Sequence, residues 1–89
     1  MYLHLGQDTV IRLDDIVGIF DLEKTSIGKI TRDFLARAER DLLVTSVSNE
    51  LPKSFVLCDS AEGTRVYISQ ISSATLKKRA GFIDDISNV

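Results

Sequence analysis

Residues 43–58, LVTSVSNELPKSFVLC, constrain the fold of this chain more than any other stretch. With a period of two, Leu43, Thr45 and Val47 alternate with Val44, Ser46 and Ser48, and a nearly continuous apolar run, 55–57, follows the polar segment 49–53. That segment contains Pro52, the only proline. The pattern predicts a β-hairpin with a mostly buried second strand. Its tip, 49–53, is the first place to expect contact with a partner, because loops on a rigid scaffold often carry function.

The length of the chain limits what can stabilise such a hairpin. The 89 residues allow one domain, which we place at 1–80, followed by a tail at 81–89 that we expect to fray. A chain this short buries only about 60 per cent of its unfolded surface. Because Cys58 and His4 are the only cysteine and histidine, neither a disulfide nor a Cys/His metal cluster can supplement the core. We therefore expect self-association.

The remaining hydrophobic periods predict an α+β fold, a small, mostly antiparallel sheet covered by one amphipathic helix, with a short C-terminal helix. The helix should run from Thr25 or Ser26, as N-cap, to Leu42. Its outer face carries an alternating charge ladder. The predicted strands are 2–5, 9–13, 16–20, the two runs within 43–58, and 64–71; the predicted short helix is 74–79; the predicted inner stripe is Ile27, Ile30, Phe34, Leu35, Ala38 and Leu42; and the ladder is Lys29, Asp33, Arg37 and Asp41.

The sequence contains no recognisable catalytic motif. His4 and Cys58 stand in strand-like runs, where a packed or edge residue is the commoner role, and the five glycines form no phosphate-binding loop. We therefore expect no enzyme activity, no cofactor and no small-molecule substrate. The first residues lack a leader-like pattern, and no apolar run approaches the roughly 20 residues that span a bilayer, so we expect a cytoplasmic protein without a membrane partner.

Charge limits where nucleic acid could bind. Eleven Lys and Arg against 13 Asp and Glu give a net charge of −2, so a DNA site would have to be local. The one cationic run is Lys77-Lys78-Arg79, and Lys53 lies in the polar segment. Each has an ordinary alternative: cations in a last helical turn offset the helix dipole, and a single lysine improves solubility.

Four segments, MYLHLG, DIVGIFDLE, LPKSFVL and SSATLKKR, together resemble the Rem family of small bacterial regulators of extracellular-matrix genes, and resemble its RemB branch more than its RemA branch. The resemblance covers about residues 1–79. It implies a DNA-binding transcriptional regulator that promotes biofilm-matrix expression in a Gram-positive bacterium. For the RemA branch it further implies a ring-shaped homo-oligomer with DNA-contacting arginines in the loop that corresponds to 49–53 here.

This chain departs from the RemA-like pattern in that loop, where Glu50 and Leu51 replace arginine and only Lys53 is cationic. Phosphate contacts add up cation by cation, so the replacement removes contacts in every subunit of an assembly. Two interpretations follow. The first is a homo-oligomeric DNA-binding regulator that contacts phosphates through Lys53, Lys77, Lys78 and Arg79. The second is an oligomeric protein-interaction module, or a partner of a more basic paralogue, with weak or no DNA binding.

Overall fold

The strands and helices occur along the chain in the predicted order. In the computed structural model, which describes residues 1–22 and 28–81, two sheets and two helices form a mixed α+β fold, with one 3₁₀ turn at Leu13–Asp15. The strands are β1 (Tyr2–Gly6), β2 (Thr9–Arg12), β3 (Ile16–Asp21), β4 (Val44–Ser46), β5 (Ser54–Ser60) and β6 (Gly63–Ser69), and the helices are α1 (Lys29–Arg40) and α2 (Ser73–Ala80). Of the predicted tail 81–89, only Gly81 lies within the described residues.

The strands form a two-stranded sheet, β1-β2, and a four-stranded sheet in the order β3-β5-β6-β4. The pairs β1-β2, β3-β5 and β5-β6 are antiparallel, whereas β4 pairs with β6 in parallel. The sheets are thus mostly antiparallel, as the short connections predict.

The predicted hairpin over 43–58 is wrong, because β4 and β5 do not pair with each other. The place beside β5 is taken by β6, which follows a two-residue turn closed by Gly63 at φ +112°. A turn this short holds its two strands together more readily than the longer segment 47–53 can. That segment instead passes across the end of β6, where Val47 N–H donates to Ile68 C=O and Lys53 N–H donates to Ser69 C=O, both at 2.9 Å.

Helix α1 is shorter than predicted. Its N-cap is Gly28, which has no side-chain capping bond, while the predicted caps at 25 and 26 lie outside the described residues. Leu42 was predicted to face inward but lies beyond the helix and is 82% exposed. Within the described ranges, neither helix is long and apolar enough to cross a bilayer.

The charge ladder on α1 forms only in part. The Lys29 ammonium lies 3.0 Å from the Asp33 carboxylate, with both side chains largely exposed. No ion pair involves Arg37 or Asp41 in residues 1–22 and 28–81. Surface pairs of this kind contribute less than about 1 kcal/mol to stability, so α1 does not need the unpaired half of the ladder in order to fold.

The four-stranded sheet is apolar on both faces, because successive residues of a strand point to opposite sides. On β5, Val56 and Cys58 belong to one buried cluster and Phe55 to another. The first cluster joins the sheet to the β1-β2 pair and to α2, and the second contains Leu35 and Ala38 of α1. The buried members of the first cluster are Leu3, Leu5, Ile11, Ile19, Val47, Val56, Cys58 and Leu76, and those of the second are Ala38, Phe55 and Val66.

A buried serine joins β1, β6 and the start of α2. The Ser69 hydroxyl, fully buried, donates to Leu5 C=O at 2.7 Å and accepts from Ile71 N–H at 3.0 Å. The Ser54 hydroxyl donates to Ile71 C=O at 2.7 Å. Ser72 then caps α2 by accepting from Thr75 N–H. We call Ser54, Ser69 and their backbone partners the serine junction.

Candidate nucleic-acid interface

Lys53 stands where the exposed segment 49–53 joins β5. Its backbone is held on both sides, because its N–H donates to Ser69 and its C=O accepts from Leu22 N–H at 3.0 Å. The side chain is exposed. Near the start of the segment, the Ser48 hydroxyl accepts from Glu50 N–H at 3.1 Å. Lys53 therefore projects from a fixed backbone position at the end of the four-stranded sheet.

The other predicted cations form the last turn of α2. Leu76 is fully buried and Ala80 packs against the same cluster, so this face of the helix is turned to the core. Lys77 is half-buried, while Lys78 and Arg79 are exposed. None of the three forms an ion pair within the described residues. Their charges are therefore available to an external anion and also offset the dipole of α2.

The four predicted residues thus form one group of three and a separate lysine. Helix α2 packs against β1 and β3, whereas Lys53 is bonded to the end of β6. The serine junction connects the two regions, because Ser69 is bonded both to Lys53 and to Ile71, just before α2 begins. The three cations lie at the other end of the helix.

Two cations that no sequence pattern indicated, Arg12 and Arg65, border a groove between β2 and β6. The groove has a volume of about 530 Å³ and contains Arg12, Arg65, Asp15 and Glu62 in its lining. Arg12 lies 3.8 Å from Asp14 in an exposed, weak pair, and Arg65 forms no ion pair within the described ranges. Because acids balance the arginines, this groove does not have the excess of positive charge that phosphate binding needs.

The comparisons with known proteins decide the family. No family model matches the chain. Extracellular matrix regulatory protein B of Bacillus subtilis (strain 168) is 43% identical to it over 88 residues, which cover 99% of this chain and 100% of that protein. The chain belongs to the Rem family. It is a RemB-like member, as the sequence resemblance predicted, and the relative's name as a regulatory protein fits the expectation that the chain is not an enzyme.

In this Rem protein the segment 49–53 is exposed but not basic. Residues 49–53 are all exposed, with Leu51 at 77%. Glu50 and Lys53 supply opposite charges, so the segment has no net charge. The cations of α2 therefore form the more concentrated positive surface of the two regions.

The surroundings of His4 and Cys58 indicate that both residues serve the fold of this Rem protein. His4 Nε2 lies 2.7 Å from Gln7 C=O, across the β1-β2 turn. Cys58 is 5% exposed on β5, and burial together with the nearby charge of Asp15 raises the pKa of its thiol from 9.0 to about 11. The thiol is therefore protonated and weakly nucleophilic at neutral pH. Within the described residues, no group of three or more His, Cys, Asp or Glu could hold a metal ion.

The raised pKa of Cys58 predicts a loss of stability in alkali. The unfolded thiol ionises near pH 9 and the folded thiol near pH 11, so between these values ionisation lowers the free energy of the unfolded state but not that of the folded state. We expect at most about 2 kcal/mol of stability to be lost over this window, because water in the adjoining groove screens part of the effect. Urea denaturation from pH 8 to 11 measures it. Cys58→Ala should show a shallower decline, and identical slopes would contradict the assignment.

Proposed function

We propose that this Rem-family protein regulates extracellular-matrix (biofilm) genes in the cytoplasm by binding DNA as a homo-oligomer. The observation that carries the proposal is the 43% identity over essentially the whole of both chains with a protein named as an extracellular matrix regulatory protein. Exposed cations on α2 and at Lys53 support the DNA-binding part. The short chain and its small core support self-association.

Lys53, Lys77, Lys78 and Arg79 are the proposed phosphate contacts. Each cation that neutralises a phosphate releases condensed counterions, so affinity grows with the number of contacts. One subunit offers four such cations, too few for tight binding by a protein whose net charge is −2. An assembly repeats them at regular intervals, which is why we join DNA binding to oligomerisation.

We also propose the helix-over-sheet arrangement that the sequence predicts. Leu35 and Ala38 of α1 share a cluster with Phe55 and Val66 of the four-stranded sheet, which supports α1 as the cover of that face. The opposite face is occupied by residues of the β1-β2 pair and α2. In this arrangement the cations of α2 and the charged face of α1 lie on different surfaces of the protein.

The alternative function is that of an oligomeric interaction module, or of a partner for a more basic paralogue. The exposed Glu50 and Leu51 favour it, because a glutamate repels phosphate and an exposed leucine suits a protein contact. In that case the cations of α2 would serve mainly to offset the helix dipole.

Charge reversals distinguish the two functions. Lys53→Glu and Lys77→Glu should each weaken binding to duplex DNA about tenfold in 100 mM salt, because each removes a phosphate contact and adds a repelling charge in every subunit. Fluorescence anisotropy with a labelled duplex from a matrix-gene promoter measures the affinity. The matched control is Lys29→Glu, which changes the net charge equally at an exposed position on α1.

The DNA-binding proposal requires Lys29→Glu to bind more tightly than the other two variants. Equal weakening by all three would mean that net charge alone matters and that Lys53 and Lys77 are not contacts. Unmodified protein that binds no DNA at 50 mM salt would leave the interaction module as the function.

A further inference from the structure

Helix α1 ends in a backbone conformation that glycine usually adopts. Leu43 N–H donates to Ala38 C=O at 2.9 Å and Leu42 N–H donates to Glu39 C=O at 3.1 Å, the bond pair of a Schellman motif. Leu42 occupies its left-handed position, with φ +61°. Glycine, and less often asparagine, fills this position because a Cβ atom is strained there. The same chain ends α2 on Gly81, at φ +79°.

Within residues 1–22 and 28–81, the side chain of Leu42 belongs to neither buried cluster, so no packing there offsets this strain. It is 82% exposed, whereas the neighbouring Leu43 supplies the apolar contact that accompanies the motif, packing against the cluster of Ala38. A leucine in a strained position and out of contact is expected where the side chain serves a function outside the subunit.

We propose that Leu42 and Asp41 insert into the groove between β2 and β6 of a second copy of this chain. The proposal rests on the homo-oligomer of the proposed function and names its interface. Val10 and Tyr67 line the groove and offer apolar surface to Leu42. The groove volume of about 530 Å³ leaves room for a leucine side chain.

Charges on the two surfaces are complementary. Asp41 is exposed and forms no ion pair in the described part of the chain, and Arg65 in the groove is likewise without one. Arg37 lies one helical turn before Asp41, is also unpaired, and matches the groove acids Asp15 and Glu62. The Asp41 carboxylate beside Leu42 would repel DNA phosphates, so nucleic acid does not suit this end of α1 as a partner. Each of the two surfaces carries both positive and negative groups, so two copies of this chain can pair opposite charges across the contact.

The first test removes the side chain of Leu42 without straining the backbone. Leu42→Asn retains a residue that tolerates the left-handed conformation, so the melting temperature should not fall. The dissociation constant for self-association, measured by sedimentation velocity over a range of concentrations, should rise at least tenfold because the buried apolar contact is lost. The matched control is Val17→Thr, which replaces an apolar side chain by a polar one at a position that is 63% exposed, outside the groove lining and not in the left-handed conformation. It should associate like the unmodified protein.

The second test exchanges charges. Asp41→Arg and Arg65→Asp should each weaken association, and the two changes together should restore it. Failure of the double variant to recover would overturn the pairing of Asp41 with the groove.

The outcomes separate this interface from the wider proposal. A Leu42→Asn variant as oligomeric as the unmodified protein would overturn the interface and leave the homo-oligomer standing. Unmodified protein that stays monomeric at all concentrations would overturn both. DNA affinity of the Lys77→Glu variant is measured separately and bears only on the proposed function.

Discussion

Replacing Leu76 by alanine should lower the free energy of unfolding by about 2–5 kcal/mol. Leu76 is fully buried and is the residue through which α2 enters the core shared by the β1-β2 pair and the four-stranded sheet. Truncation removes apolar contact from several elements at once and leaves a cavity that a closely packed core fills only in part. Because a small domain has only about 5–15 kcal/mol in total, the change should be large enough to unfold part of the population at 37 °C.

Urea denaturation followed by circular dichroism measures the loss for Leu76→Ala. The control is Leu51→Ala, which removes the same atoms from a side chain that is 77% exposed and should change stability by less than about 0.5 kcal/mol. Equal stabilities of the two variants would show that α2 is not anchored to the core through Leu76.

Ser69→Ala should cost about 2–6 kcal/mol although it removes a single oxygen atom. The hydroxyl is the partner of both Leu5 C=O and Ile71 N–H, and each buried group left without a partner costs about 1–3 kcal/mol. The residue is 0% exposed, so water cannot easily replace the hydroxyl. The variant should also loosen the link between the β1-β2 pair and the start of α2.

Two other serines calibrate the effect of Ser69→Ala. Ser54 is equally buried but makes one bond, to Ile71 C=O, so Ser54→Ala should cost about half as much. Ser60 is exposed at the end of β5, and Ser60→Ala should change stability by less than about 0.5 kcal/mol. A Ser69→Ala variant no less stable than Ser60→Ala would contradict the role of the serine junction.

Local sequence patterns predicted the elements of this fold but not all of their partners. The strand-forming runs at 2–5 and 64–71 and the helical period over 25–42 depend on neighbouring residues. Strands β1 and β6 lie where these runs occur, and α1 lies within the helical stretch. The pairing of 43–48 with β5 was wrong because strand neighbours depend on competition between distant segments. The short turn before Gly63 gives β6 the place beside β5.

Leu42 shows another limit of periodicity. Its spacing from Leu35 and Ala38 continues the apolar stripe of α1, so the sequence placed it on the inner face. In the structure a left-handed φ at Leu42 ends the helix and turns the side chain outward. The sequence did not predict this helix end, because the residue that usually marks a left-handed helix end is glycine and position 42 is leucine.

Some features of the candidate site could be predicted from the sequence and others could not. The cations of α2 are adjacent in sequence, so their position on one helical turn was predictable. Arg12 of β2 and Arg65 of β6, more than fifty positions apart, line the same groove, and only the packing of the two sheets places them there. Alternation along 64–69 could have put Arg65 and Tyr67 on one face, but not opposite β2.

The salt dependence of DNA binding tests the central claim most directly. We expect the logarithm of the association constant to fall linearly with the logarithm of salt concentration, with a slope of about −3 to −4 if the four cations of one subunit contact phosphates and a steeper slope if several subunits do. Lys77→Glu should make the slope shallower by about 1 for each subunit in contact. Binding that does not change with salt, or a slope that Lys77→Glu leaves unaltered, would contradict the assignment of this surface to DNA.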